Sequence, residues 1–185
     1  MSAVNRDADV QQDVTLIARW QQGDQRAASE LVERHAQALA RFAAAQGVRE
    51  GVEELVQDTF VRAFNSLESF RAESSLRTWL FTILKRLMLD RQRVERRARS
   101  QVELDEGHAV QEFNALDGLV ADEAMQRVRQ AVDRLSPLQR EVFTLRVTEG
   151  MAYTEIARVV GSTEGACRVH YHNAMRAVKE YLSDD

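Results

Sequence analysis

Residues 154–175, TEIARVVGSTEGACRVHYHNAM, read as two short helices joined at Gly161, the second carrying Arg168, His172 and Arg176 along one side. A helix-turn-helix needs a small residue where its helices touch, a residue tolerant of positive φ at the turn and an apolar stripe on the second helix. Ala157 and Gly161 meet the first two needs, and Cys167, Tyr171, Ala174 and Val178 continue one stripe at helical spacing. Thr163 is the natural N-cap with Glu164 after it, which leaves Ala166, Arg168, Val169, His172 and Arg176 facing outward, flanked by Asn173. Such residues, in the first half of a second helix, contact base edges and phosphates when this motif docks in the major groove. The plainer alternative is an amphipathic hairpin with a solvated polar face. A metal reading of Cys167, His170 and His172 fails, because His172 does not share the face of the other two and no fourth ligand follows at metal spacing.

A second cluster, of different chemistry, lies upstream. In FRAESSLRTWLFTILKRLMLDRQRVERRARS, Arg86, Arg93 and Arg97 recur on one helical flank, Arg77 and Lys85 on another, and Phe70, Trp79 and Phe81 are interleaved. Cations that hold a backbone together with aromatics that stack on bases suit single-stranded DNA. Taken alone, a solvated helix with core aromatics accounts for the same residues, and Trp79 fits packing better than exposed stacking.

Helices must carry both clusters. The 185 residues include a single proline, Pro137, and eight glycines, and alternating β-branched runs are almost absent. The fold class expected is all-α, as two small domains. Helical spacing runs from Val14 to Trp20, from Gln25 to Gln46 with Leu31, Val32, His35, Leu39 and Phe42, and from Val52 to Leu67 with Leu55, Val56, Phe60, Ala63 and Phe64 inward. Glu53, Glu54, Gln57 and Asp58 sit near the start of that third helix, where acidic residues suit the helix dipole. A fourth helix opens at Ser74 or Ser75 and runs to about Arg97, burying Leu76, Leu80, Ile83 and Leu87. Residues 99–118 lack periodicity and read as a linker. Periodicity resumes at Leu119, and Ser136, Pro137 and Gln139 form a compact start for a further helix.

Charge is unevenly distributed around a net value of −4. Residues 71–99 hold nine basic and three acidic side chains, whereas residues 100–118 hold five acidic and no basic ones. Clustered cations drive phosphate binding by counterion release, so the first segment attracts a polyanion that the second repels. The free chain is expected to bind DNA weakly. The lone Cys167 excludes an internal disulfide framework. No apolar run approaches the roughly 20 residues that span a bilayer, and MSAVNRDADVQQD is unlike a signal peptide, so a cytoplasmic location is expected. No Ser-His-Asp order, glycine-rich phosphate loop or metal spacing stands out, so neither an enzyme nor a cofactor or metal is expected.

The order and spacing of these segments resemble the group IV, or extracytoplasmic function (ECF), sigma factors of bacterial RNA polymerase. EELVQDTFVRAF is similar to the family's region 2.1 to 2.2, SFRAESSLRTWLFTILKRLMLDRQRVERR to regions 2.3 and 2.4, and LSPLQREVFTLRVTEGMAYTEIARVVGSTEGACRVHYHNAMRAVKEYL to region 4. The resemblance implies a four-helix region 2 domain over residues 1–98, an acidic linker over 99–118 along the RNA-exit path, and a region 4 helix-turn-helix domain over 119–185. It implies that Glu53, Glu54, Gln57 and Asp58 face the β′ clamp helices, with the β flap a further polymerase contact. It assigns the −10 element to Ser69, Phe70, Arg71, Ser74, Arg77, Trp79, Lys85, Arg86, Asp90 and Arg93, with a base leaving the stack into a pocket. It assigns the −35 element to Thr163, Glu164, Arg168, His170, His172 and Arg176. The implied partners are core RNA polymerase, promoter DNA and an anti-sigma factor, with the chain a monomer when free and without membrane insertion. Initiation at stress- or signal-responsive genes follows, and an acidic DNA reader makes sense if polymerase supplies most of the affinity. Three stretches depart from the family pattern: Gly51-Val52 stands for Asp-Ala, which halves the acidic charge there and bears on the strength of polymerase binding, while Arg86 for a frequent Asn and RVHYHNAMRA for KSRLHRARKA imply unusual promoter elements. The competing function is a stand-alone helix-turn-helix regulator, which would bind a two-fold site tightly without polymerase.

Overall fold

A computed structural model describes residues 3–67, 70, 74–102 and 123–183, and among these every regular element is an α-helix. In chain order they are α1 (Ala3–Gln21), α2 (Gln25–Ala45), α3 (Val52–Asn65), α4 (Leu76–Val102), α5 (Glu123–Asp133), α6 (Pro137–Val147), α7 (Tyr153–Val160) and α8 (Glu164–Ser183). No helix among the described residues is long and apolar enough to cross a membrane.

Helix α1 begins well before the Val14 start that apolar spacing indicates. Its polar first half lacks an apolar stripe but has partners on α2. Arg34 donates to Asp13 at 3.0 Å and to Gln12 at 2.7 Å, and His35 Nε2 lies 3.0 Å from both Asp13 oxygens. Asp13 and His35 are both buried, so the pair satisfies polar atoms that would otherwise oppose burial. At the α1–α2 corner, Asp24 caps α2 by accepting the Arg26 amide at 3.0 Å, and its other oxygen accepts from Arg19 at 2.7 and 2.9 Å. Hydrogen bonding to Arg19 holds the Asp24 carboxyl below the usual carboxylate range.

The third and fourth helices follow the expected stripes. Leu55, Val56, Phe60 and Ala63 of α3 are buried, as are Leu76, Leu80 and Leu87 of α4. Ser75 is the N-cap of α4, its hydroxyl accepting the Thr78 amide at 3.2 Å. Helix α4 continues to Val102, past the expected linker start at residue 99; residues 103–118 of that linker lie outside the described residues. Gly51 precedes α3 at φ 67°, and a Cβ built there would stand 2.6 Å from Arg91 Nη1. The left-handed backbone conformation favours glycine at this departure from the family pattern, while the Arg91 guanidinium, at the end of a flexible side chain, can move aside.

The second half folds onto the first. One apolar core contains Leu80, Phe81 and Leu84 of α4 together with Val142 and Leu145 of α6, Met151 of the turn that follows, Ile156 and Val159 of α7, and Cys167 of α8. A smaller cluster of Ala131, Leu135, Phe143, Ala174 and Val178 fastens α5 to α6 and α8.

Candidate nucleic-acid and polymerase interfaces

The helix-turn-helix is formed by α7 and α8. Gly161 ends α7 at φ 69°, and the Thr163 hydroxyl accepts the Ala166 amide at 3.2 Å, which makes it the N-cap of α8. Cys167, Ala174 and Val178 are buried and Tyr171 is half-buried, so the expected stripe is the packing face. Burial pushes the Cys167 thiol above its ordinary range; the nearby Glu164 charge adds to this and Lys85 opposes it. Arg168, Val169, His172 and Arg176 point to solvent, while His170 and Asn173 are half-buried.

Of the outward cations, Arg168 is already held in place. Arg168 pairs with Glu164 one turn earlier, and its guanidinium lies 4.7 Å from the Tyr153 ring centroid. Arg146 approaches the same ring at 4.8 Å, and Tyr171 meets it edge-on at 5.9 Å. Tyr153 thereby links α6, α7 and α8 at the mouth of the motif. Sequence spacing gave no sign of this, because a ring contact between helices has no periodicity.

The two cationic flanks of α4 have different fates. Arg86, Asp90, Arg93 and Arg97 are exposed, with Arg93 at 3.4 Å from Asp90. Arg77 and Lys85 instead face the second half of the chain. Arg77 donates to the Glu149 carboxylate at 2.5 Å and to its backbone oxygen at 2.8 Å, and Lys85 donates to Glu141 at 2.5 Å. Trp79 is half-buried against Phe70, with ring centroids 5.0 Å apart, in keeping with packing. Phe70, Ser74, Ser75 and Leu76 line one side of a cleft of about 300 Å³, with Val10, Val14 and Ile17 of α1 opposite. Ser69 and Arg71 lie outside the described residues.

On α3, Glu53, Glu54, Gln57 and Asp58 are all exposed on the side opposite the core stripe. Three charged surfaces thus stand on one helical frame: an acidic one on α3, a basic one on α4 and a mixed one on α8.

A helix-turn-helix at one end of the chain and a basic, aromatic-bearing helix in its other half are the features by which nucleic-acid-binding proteins are recognised. Residues 31–98 match the Sigma-70 region 2 family, and residues 125–178 match the Sigma-70, region 4 family. The RNA polymerase sigma factor CnrH of Cupriavidus metallidurans is 36% identical over 183 residues, covering 94% of this chain and 95% of that one. The ECF RNA polymerase sigma factor BldN of Streptomyces coelicolor is 29% identical over 97% of this chain and 69% of that one. The solved structure of CnrH in complex with the cytosolic domain of CnrY superposes with a TM-score of 0.69 at 31% identity, covering 94% of this chain and 99% of that one. That of RpoE in complex with the anti-sigma factor NepR, from Bartonella quintana, gives 0.68 at 27% identity over 85% of this chain and 97% of that one. The chain belongs to the ECF sigma factors of the sigma-70 family, alternative sigma factors that direct transcription initiation.

Proposed function

We propose that this chain acts as a group IV sigma factor whose three charged surfaces divide the work of initiation. Glu53, Glu54, Gln57 and Asp58 bind the β′ clamp helices of core RNA polymerase, and the second half takes the β flap. Residues 1–98 serve −10 recognition, 99–118 join, and 119–185 serve −35 recognition. Arg77, Lys85, Arg86, Asp90 and Arg93, with Trp79 and the Ser69–Ser74 segment, hold the melted −10 strand. The cleft beside Phe70 and Ser74 receives the base that leaves the stack. Thr163, Glu164, Arg168, His170, His172 and Arg176 read the −35 duplex. The observation that carries the reading is on α8: its apolar stripe is buried while Arg168, His172 and Arg176 project from the side a groove would meet.

CnrH and RpoE have been solved with CnrY and with the anti-sigma factor NepR respectively. By analogy this chain takes an anti-sigma partner, is a monomer before it joins polymerase, works in the cytoplasm and performs no catalysis of its own. The test is run-off transcription with purified chain, core bacterial polymerase and a promoter library, with and without Glu53→Lys/Glu54→Lys. Initiation needs both chain and core and weakens in the charge-reversed variant, whose melting temperature falls by no more than a few degrees, because both positions are exposed and lose only their interaction with the α3 dipole. DNA binding by the chain alone at a two-fold site, with no initiation, would replace this reading with the stand-alone regulator.

A further inference from the structure

Helix α8 carries two residues on its outward side that the fold itself does not use. Val169 is 58% exposed and belongs to neither apolar cluster of the described residues. Gly165, one turn earlier, lies within the helix without a positive φ, and a Cβ built there would meet nothing within 4 Å. Glycine and the β-branched valine both form helix less readily than alanine, so neither local stability nor packing accounts for them. Their position does. Cys167, Ala174 and Val178 define the buried side of α8, and at 3.6 residues per turn Gly165, Val169 and Arg176 lie almost opposite. Side chains on a helix lean toward its N-terminus, so Val169 overhangs the bare turn at Gly165. Arg168, held by Glu164 and the Tyr153 ring, and the exposed His172 border this apolar patch with polar groups.

We propose that Gly165 and Val169 form an apolar notch that seats the C5-methyl group of a thymine in the −35 duplex, which makes Val169 a specificity-determining residue. The inference rests on the assignment of α8 to that duplex. The thymine methyl is the one methyl group that unmodified base edges offer in the major groove, where the other edges are distinguished by their donors and acceptors. Set against one of those, Val169 strips water from a polar atom and returns no hydrogen bond, which costs affinity. Against thymine it removes two apolar surfaces from water together. Gly165 lets the base edge come close to the helix backbone, in space that an alanine methyl would fill. At this position RVHYHNAMRA has valine where the family pattern KSRLHRARKA has serine, so the preference belongs to this chain.

The test uses holoenzyme assembled from core bacterial polymerase and the full chain, on the promoter that run-off transcription selects. Each thymine of the −35 element is replaced in turn by deoxyuridine, which keeps the pairing groups and lacks only the methyl, and the duplexes compete for holoenzyme. The expected result is a loss of about fourfold at one thymine, the effect of burying one methyl group, and little at the others. In Val169→Ser, which folds because the position is exposed and the two residues have similar helix propensity, the thymine and deoxyuridine promoters bind equally. Gly165→Ala weakens binding to the selected promoter while its melting temperature does not fall, a combination that a merely structural role for Gly165 would not produce. A −35 element without thymine, indifference to every methyl removal, a loss that persists in full in Val169→Ser, or unchanged binding in Gly165→Ala would overturn the proposal, while initiation by wild type leaves the sigma-factor assignment standing. Absence of initiation by wild type with core polymerase would overturn that assignment and the notch with it.

Discussion

Ile156→Ala removes a side chain that is 0% exposed and packs in the core shared by α4, α6 and α7. Large-to-small changes of this type cost about 2–5 kcal/mol, the upper part arising where the surroundings cannot collapse into the void. Helices enclose this site from both halves of the chain, so about 3 kcal/mol is expected. For a chain of this length each kcal/mol lowers the melting temperature by about 2–4 °C, giving a fall of about 6–12 °C. The informative assay is tryptophan fluorescence, because both tryptophans lie in the first half: Trp20 on α1 against Phe64, and Trp79 on α4 against Phe70. Ile156 is on α7, so a shift in the tryptophan transition reports energy passing through the shared core. Were the halves independent, the tryptophan midpoint would stay fixed while circular dichroism resolved a separate, earlier loss of helix. That pattern would refute the shared core.

Other consequences are local. Thr163→Ala removes the cap of α8 and costs about 1 kcal/mol, visible as a lower urea midpoint with unchanged slope. Gly161→Ala has no neighbour within 4 Å of the new methyl group, so its cost, about 1 kcal/mol, is that of holding a non-glycine residue at φ 69°. Asp24→Asn keeps a capping oxygen but loses the charge that Arg19 stabilises. Because Arg19 lowers the carboxyl below its unfolded value, the stabilisation is present at neutral pH and lost as pH falls through the lowered value. Melting temperatures of wild type and variant therefore differ at pH 7 and converge in acid. Cys167, buried and with its thiol raised chiefly by burial, resists alkylation in the native protein near neutral pH and reacts once urea unfolds it; rapid native labelling would contradict its packing role.

Much of the candidate site was legible because it depends on short-range spacing. The α8 stripe of Cys167, Tyr171, Ala174 and Val178, the Thr163 cap and the Gly161 turn all follow from a repeat of 3.6 and the φ preferences of single residues. The acidic start of α3 was equally visible, since Glu53, Glu54, Gln57 and Asp58 are defined by what the apolar stripe leaves over. The first half of α1 was not, because its polar face is stabilised by Arg34 and His35 from the next helix rather than by apolar periodicity. Glu149 gave no signal either. At the end of a helix beside a glycine it looks like a solvated turn residue, and only Arg41 and Arg77, distant in the chain, make its burial tolerable.

The sequence by itself determined the helices other than the first half of α1, the order of the regions and which residues lie opposite each apolar stripe, because local backbone preference and side-chain periodicity act within a few residues. The tertiary structure alone decided which of those faces is open. Arg77 and Arg86 are indistinguishable as charges on one helix, yet the first is held by Glu149 and the second is exposed. That difference depends on ion pairs and apolar contacts between residues more than fifty positions apart, whose formation is set by how the halves pack and not by the pattern within either one.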